Sequence, residues 1–163
     1  MTDARGRGRS DARVQSALAA AEQFLSLRGA QFTPIRRAVL RLLCRAGKAV
    51  GAYELLYSHQ QEVGHRVAPN TIYRALIFLE QHRLVAHLAG QRRYVAITPH
   101  TDRGVLFFVC DGCGISLEHD ATHVERALNE AAAAIGFRAV QRSLAVAGTC
   151  RHCAARVKAL KGA

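Results

Sequence analysis

Tryptophan is absent from this 163-residue chain, and the other aromatics are few, with 4 Tyr and 6 Phe. That leaves little material for a large aromatic ligand cage. No run of about 18 apolar residues occurs, so no helix is expected to span a membrane. The start of the chain, residues 1–13, carries arginines but no apolar stretch follows it. It does not read as a secretory signal, and a cytoplasmic location is the default expectation. Paired carboxylates, a nucleophile elbow and a phosphate-binding loop are all missing. No enzyme and no small-molecule substrate are therefore expected. Acidic residues are scarce as well, 12 against 23 Lys/Arg, which gives a net charge of +11.

That charge is uneven. Residues 1–97 hold 15 Lys/Arg and 6 Asp/Glu, whereas residues 98–163 hold 8 and 6. The positive field therefore belongs to the N-terminal part, and a basic domain of this kind suits a polyanion such as DNA or RNA.

The near-neutral part contains four of the five cysteines, as two C-x-x-C pairs: Cys110 with Cys113, and Cys150 with Cys153. Two intervening residues let one tight turn aim both sulfurs at a point, and two such turns supply the four thiolates of a tetrahedral zinc site. Gly112 and Gly114 flank Cys113 and permit a positive φ there. Two disulfides or a redox dithiol are the other readings of the pairs, but a disulfide framework suits a small secreted chain. A thiol oxidoreductase would need one pair exposed with a lowered pKa.

Residues 1–10 are Gly/Arg-rich and read as a disordered basic tail. A helical apolar period then runs from Asp11 to Leu27 and ends at Gly29. The next helix starts at Thr33-Pro34, with Thr33 as cap and Pro34 in the first position. Its stripe is Ile35, Ala38, Val39, Leu42 and Leu43, with Cys44 beside it in a core role. Arg36, Arg37, Arg41 and Arg45 cover the remaining surface, either solvated or touching phosphates. Gly47–Gly51 reads as a break, and a short helix follows from Ala52 to about Gln61. Another begins at Pro69, burying Ile72, Ala75, Leu76 and Leu79. Asn70, Thr71, Arg74 and Tyr73 project from its first turns. The stretches 84–89 and 93–97 form a β-hairpin with Arg92 and Arg93 near its tip.

Helices followed by a hairpin make a winged helix-turn-helix over 11–97, whose second helix enters a major groove. Residues 98–104 read as a linker. Residues 105–163 form a small α/β module: strands at 105–109, 115–118 and 137–146, a helix from Thr122 to about Ile135, and a short basic helix after the last cysteine. The overall fold class is α+β. So small a module gains from a zinc staple and from pairing with a copy of itself.

An ordered set of motifs spans about residues 14–156. It comprises T-P-x-R at 33, A-Y-E-L-L at 52–56, T-I-Y-R-A-L at 71–76, F-L-E at 78–80, C-D-x-C-G at 110–114, G-F at 136–137 and G-x-C-x-x-C at 148–153. The chain thereby resembles the ferric uptake regulator superfamily of metal-dependent bacterial repressors, and within it the zinc-responsive branch. The resemblance implies a homodimeric repressor that binds palindromic double-stranded operator DNA and controls metal uptake genes. It implies structural zinc on Cys110, Cys113, Cys150 and Cys153. It also implies DNA contacts from Tyr53 and Arg74, with Thr71 and Tyr73 as secondary candidates.

A second, regulatory divalent metal, zinc by this branch, is implied at the hinge. The regions that carry its ligands in the family offer His87, His100, Asp102, Glu118 and His119. Glu118 matches a family ligand position, and His87 stands one position after the usual one. Ile97 occupies the place where the zinc branch usually has Cys, which removes a soft ligand and keeps iron(II) and manganese(II) open. A peroxide-sensing member of the family and, from another class, a zinc-ribbon RNA-binding protein are the alternatives. His59, His65, His82 and His123 read as surface histidines, and His152 is expected to point away from the zinc.

Overall fold

The computed structural model describes residues 11–88, 91–97, 104–138 and 143–161. The chain divides into two compact units, with the boundary between Pro99 and His100. In the first unit the helices are α1 (Asp11–Ser26), α2 (Pro34–Ala46), α3 (Ala52–Val63) and α4 (Pro69–Gln81). Its strands are β1 (Val50–Gly51), β2 (Val85–Leu88) and β3 (Arg93–Ala96). They form one antiparallel sheet in the order β1-β3-β2.

Each helix buries the stripe that its period of 3.6 dictates. Val14, Leu18 and Leu25 of α1 meet Val39, Leu40 and Leu43 of α2, Leu55 of α3, and Ile72, Leu76 and Leu79 of α4 in one core. Burying each of these large side chains contributes about 1.5–3 kcal/mol relative to exposure. α2 is the hub and packs against α1, α3, α4 and β3. Cys44 belongs to the same core.

Two local expectations need correction. Thr33 stands at the N-cap of α2 with extended backbone, yet its hydroxyl makes no capping bond. Its Oγ1 is buried without a hydrogen-bond partner among the described residues, so Pro34 alone sets the helix start. The break at 47–51 contains β1, whose Val50 and Gly51 pair with Tyr94 and Arg93. A strand of two residues leaves no periodicity to read, because only its distant partner defines it.

The second unit holds β4 (Val105–Cys110), β5 (Ser116–Asp120), α5 (Thr122–Ala134), β6 (Ser143–Gly148) and α6 (Arg151–Lys161). β4 is central, antiparallel to β5 and parallel to β6. The parallel pairing follows from the crossover through α5. The third strand thus falls at the end of the expected 137–146 stretch, and residues 139–142 lie outside the described ones.

On β4, Phe107 is buried while its neighbour Phe108 is 45% exposed. On α5 the expected stripe is not covered: Val124, Leu128 and Ile135 are exposed, and Ala132 is the buried residue of the helix. No helix among the described residues is long and apolar enough to cross a membrane.

Candidate zinc centre and nucleic-acid interface

The two cysteine pairs meet at one end of the second sheet. Cys110 is the last residue of β4 and pairs with Gly148, the last of β6, so the parallel register delivers Cys150 beside Cys110. α6 begins at Arg151 and carries Cys153 in its first turn. None of the five cysteines is in a disulfide, and the four Sγ atoms of the pairs lie within 4.8 Å of one another. Cys113 and Cys150 are 3.8 Å apart, sulfur to sulfur. A tetrahedron with Zn–S bonds of about 2.3 Å has edges of about 3.8 Å. The donor set therefore fits zinc in both softness and size.

The turn is built by hydrogen bonds from Gly114 N to Cys110 O (2.8 Å) and from Cys110 N to Ile115 O (2.9 Å). Gly114 has φ +73°, where a side chain would be strained. Gly112 matters for a different reason: a Cβ there would lie 3.0 Å from Cys153 Sγ. The amide of Cys150 donates to Cys110 Sγ (3.3 Å). That bond is the main reason the Cys110 thiol falls to about 6. The Cys153 thiol, hydrogen-bonded chiefly to Cys150, is pushed up to about 12. The protein's own hydrogen bonds bring the Cys110 thiol down this far, whereas a bound cation would stabilise all four thiolates.

The nucleic-acid candidates sit in the first unit. Tyr53 is 71% exposed in the first turn of α3. Pro69 opens α4 without a side-chain cap, and Asn70 and Arg74 are exposed along its first turns, with Thr71 and Tyr73 half-buried. Arg74 makes no ion pair or hydrogen bond with the described residues.

The α2 arginines behave otherwise. Arg36 stacks on the Phe78 ring (3.4 Å) and donates to Gln31 O (2.6 Å). Arg37 pairs with Glu22 and lies over Phe32. Arg41 grips Glu62 with both Nη atoms (3.1 and 2.7 Å). Arg45 reaches Glu62 (3.5 Å) and Asp11 (3.4 Å). Each has a partner within the first unit, and these contacts tie α2 to its neighbours. Of the hairpin pair, Arg92 is exposed with φ +52°. Arg93 turns back to Ala49 O (3.0 Å) and Glu54 (3.4 Å).

The regulatory candidates do not form one cluster in the described residues. His100 and Asp102 lie outside them. His87, on β2, is paired with Tyr94 across the sheet, and the rings stack at 4.6 Å. Glu118 and His119 are consecutive on β5, opposite Phe107 and Leu106, so their side chains leave opposite faces of the sheet. His119 is set edge-on to Phe108, and its Nδ1 lies 3.1 Å from Asp120 O. One ion cannot take both residues while β5 stays a strand. His59 is another correction: it is buried on the core face of α3, and its Nδ1 has no partner among the described residues. His152 is exposed.

The sequence model of the ferric uptake regulator family matches residues 27–147. The chain belongs to the ferric uptake regulator family. This is a family of transcriptional regulators, not of enzymes. Among its relatives is the zinc uptake regulation protein of Escherichia coli (strain K12), 33% identical over 145 residues that span 86% of this chain and 82% of the relative. A solved structure of a zinc uptake regulator complexed with zinc and DNA is similar to it, with TM-score 0.81 and 32% identity over 90% of this chain and 97% of that one. The holo form of XcZur is similar too, with TM-score 0.76 and 39% identity over 86% and 98%.

Within the ferric uptake regulator family, the offset of His87 acquires a physical meaning. A strand residue one place along points to the other face. The position that the resemblance gives to the ligand falls at Ala86, which is buried, while His87 stacks on Tyr94 on the other face. Sequence reasoning also passed over Tyr57. It is 65% exposed, one turn from Tyr53 on the same face of α3, and its i+4 spacing is the signal that finds it.

Proposed function

We propose that this protein is a zinc-responsive transcriptional repressor that acts in the cytoplasm as a homodimer on palindromic operator DNA near metal uptake genes. What carries the reading is the likeness of the chain, over nine-tenths of its length, to a regulator solved with zinc and DNA. The arginine pattern supports it: α2 spends its cations on internal partners, whereas Arg74 and Arg92 keep theirs available. Tyr53, Asn70, Thr71, Tyr73 and Arg74 would read or position a half-site, with Arg74 to a guanine edge as the strongest contact. Cys110, Cys113, Cys150 and Cys153 would hold a structural zinc that ties β4, β6 and α6 together.

Dimerisation is supported by the uncovered apolar surface of the second unit, where Leu117, Val124, Leu128 and Ile135 are exposed. A second copy is the natural cover for such a face. Two heads so joined would address half-sites about 34–36 Å apart.

The regulatory ligands would come from His100 and Asp102 with Glu118 rather than His119, and from His87 only if β2 shifts. Without the branch's usual Cys at Ile97 this is a harder donor set, which keeps iron(II) and manganese(II) as second readings. Occupancy can change DNA affinity only through a preference for the arrangement that fits the operator.

The test is binding of the four-cysteine-loaded protein to DNA selected from random sequence, over buffered free Zn(II), Fe(II) and Mn(II). Affinity should rise steeply with one of these ions, zinc first. Affinity independent of all three, or equal preference for RNA of the same length, would overturn the reading.

A further inference from the structure

Arg93 and Glu54 are 39 positions apart in sequence, yet they close one small network at the start of α3. Arg93 is the first residue of β3 and faces Gly51 of β1 in the register. Its Nη1 donates to Ala49 O at 3.0 Å and lies 3.4 Å from Glu54 Oε1. The same carboxylate oxygen accepts from the amide of Gly51 at 3.4 Å. Gly51 is the N-cap of α3, and Glu54, three residues on, supplies the return half of a capping box by accepting from the cap amide. The backbone of β1 thus links hairpin to helix once, and the Arg93 side chain links them a second time.

Between the two anchors lie Ala52, which is buried, and Tyr53. Tyr53 directly precedes Glu54 and is 71% exposed. Gly51 and Glu54, on either side of it, are held by bonds that end on Arg93. A side chain so exposed has no packing of its own to fix its direction, so its aim is set by the first turn that carries it.

We infer that Arg93, through Glu54, is a positioning residue for the Tyr53 face of α3, not itself a DNA contact. Resting on the DNA-binding reading above, this makes the hairpin a brace for the helix-turn-helix as well as a source of contacts. The pair is half-exposed, with side chains 40% and 51% accessible. It adds little to global stability, and its value lies in register between two elements.

The geometry separates this role from phosphate contact by two readouts. A phosphate-binding cation weakens specific and non-specific DNA alike and lowers the salt slope by about 0.9 when removed. A positioning cation weakens the specific site alone. Glu54 gives the sharper contrast. Glu54→Gln removes a negative charge from a DNA-facing region, so electrostatics alone would strengthen binding; loss of aim weakens it. The amide oxygen of Gln can still accept from Gly51, so the capping bond is kept.

The experiment uses zinc-loaded full-length protein, the tightest duplex it selects from random sequence, and a scrambled duplex of equal length. Arg93→Ala and Glu54→Gln should each weaken the selected site about ten-fold. The double variant should be no worse than the weaker single, because contacting residues couple. The scrambled duplex and the salt slope should hardly change. Arg93→Lys, which keeps the charge and a donor, should recover part of the loss, and thermal melts establish that each variant is folded.

A fall in slope of about 0.9 for Arg93→Ala, or a Glu54→Gln variant that binds as tightly as the parent, would sink the inference. Additive losses in the double variant would do the same. If the parent itself prefers no selected duplex over the scrambled one, the DNA-binding reading fails first, and the inference falls with it.

Discussion

Replacing Arg41 by Ala should lower the melting temperature and leave DNA binding alone, the opposite of what its place in a basic helix suggests. Arg41 holds Glu62 through two hydrogen bonds of 3.1 and 2.7 Å, with side chains 27% and 29% exposed. Exposed pairs contribute about 0.2–1 kcal/mol. Two-pronged geometry and partial burial place this one near the top of that range, about 1 kcal/mol. Glu62 is not orphaned by the change, because Arg45 remains 3.5 Å away; the larger penalty for an unpaired carboxylate therefore does not apply. For a unit of this size, about 1 kcal/mol corresponds to a midpoint lowered by about 4–8 °C.

The assay is a thermal melt of the full zinc-loaded chain, followed by operator titrations at several salt concentrations. Arg41→Lys should recover less than half of the shift, since an ammonium cannot grip both oxygens in the fork. An unchanged melt, together with a salt slope reduced by about 0.9, would refute the assignment and return Arg41 to the phosphate backbone.

Three further outcomes follow from the geometry. Arg74→Ala should leave the melt unchanged, weaken the selected site by about 1–3 kcal/mol and relax the base preference at one position of each half-site; unaltered preference in a repeat selection would show that Arg74 does not read a base. Leu128→Glu should shift the protein to monomers in analytical ultracentrifugation with zinc still bound at the cysteines, and a dimer that survives would move the interface away from α5.

Zinc loading of the four thiols should release fewer than four protons at pH 7, measured by calorimetry in buffers of different ionisation enthalpy. The Cys110 thiol, lowered to about 6, is already largely ionised at that pH, while Cys153, raised to about 12, is not. The number should climb as pH falls through about 6, and a constant four from pH 5 to 8 would contradict the Cys110 environment. The sign is that of a depressed acid: the thiolate of Cys110 helps the metal-free fold above its ordinary value of 9.0, and that help is lost as pH falls through about 6.

Much of this was legible from spacing alone, because the signals are local. A C-x-x-C turn announces itself within four residues, and the stripes of α1, α2 and α4 repeat within one helix each. The obscure parts depend on partners far along the chain. Arg45 meets Asp11 across 34 positions, Arg41 meets Glu62 across 21, and Arg93 meets Ala49 across 44. A count of charges cannot separate such tethered arginines from available ones. β1 was hidden for the same reason.

The spacing marks a stripe on α5, but period says nothing about what covers it, and Val124, Leu128 and Ile135 stay exposed among the described residues. The candidate regulatory residues are legible as residue types. That Glu118 and His119 face apart follows from the strand boundary, which the sequence placed at Glu118 and the structure extends to Asp120.

The parallel pairing of β4 with β6 has one more consequence. The chain leaves the sulfur cluster at Cys113 and returns to it at Cys150, so β5, α5 and β6 form an excursion that starts and finishes at a single point. Once its ends are joined, lengthening such a circuit is cheap, about 0.6 kcal/mol for each doubling. Insertions near Gly136, or a re-facing of α5, would leave the knot where it is. The surface of that excursion can therefore change in length or facing while the sulfur cluster holds the register of β4 and β6 beneath.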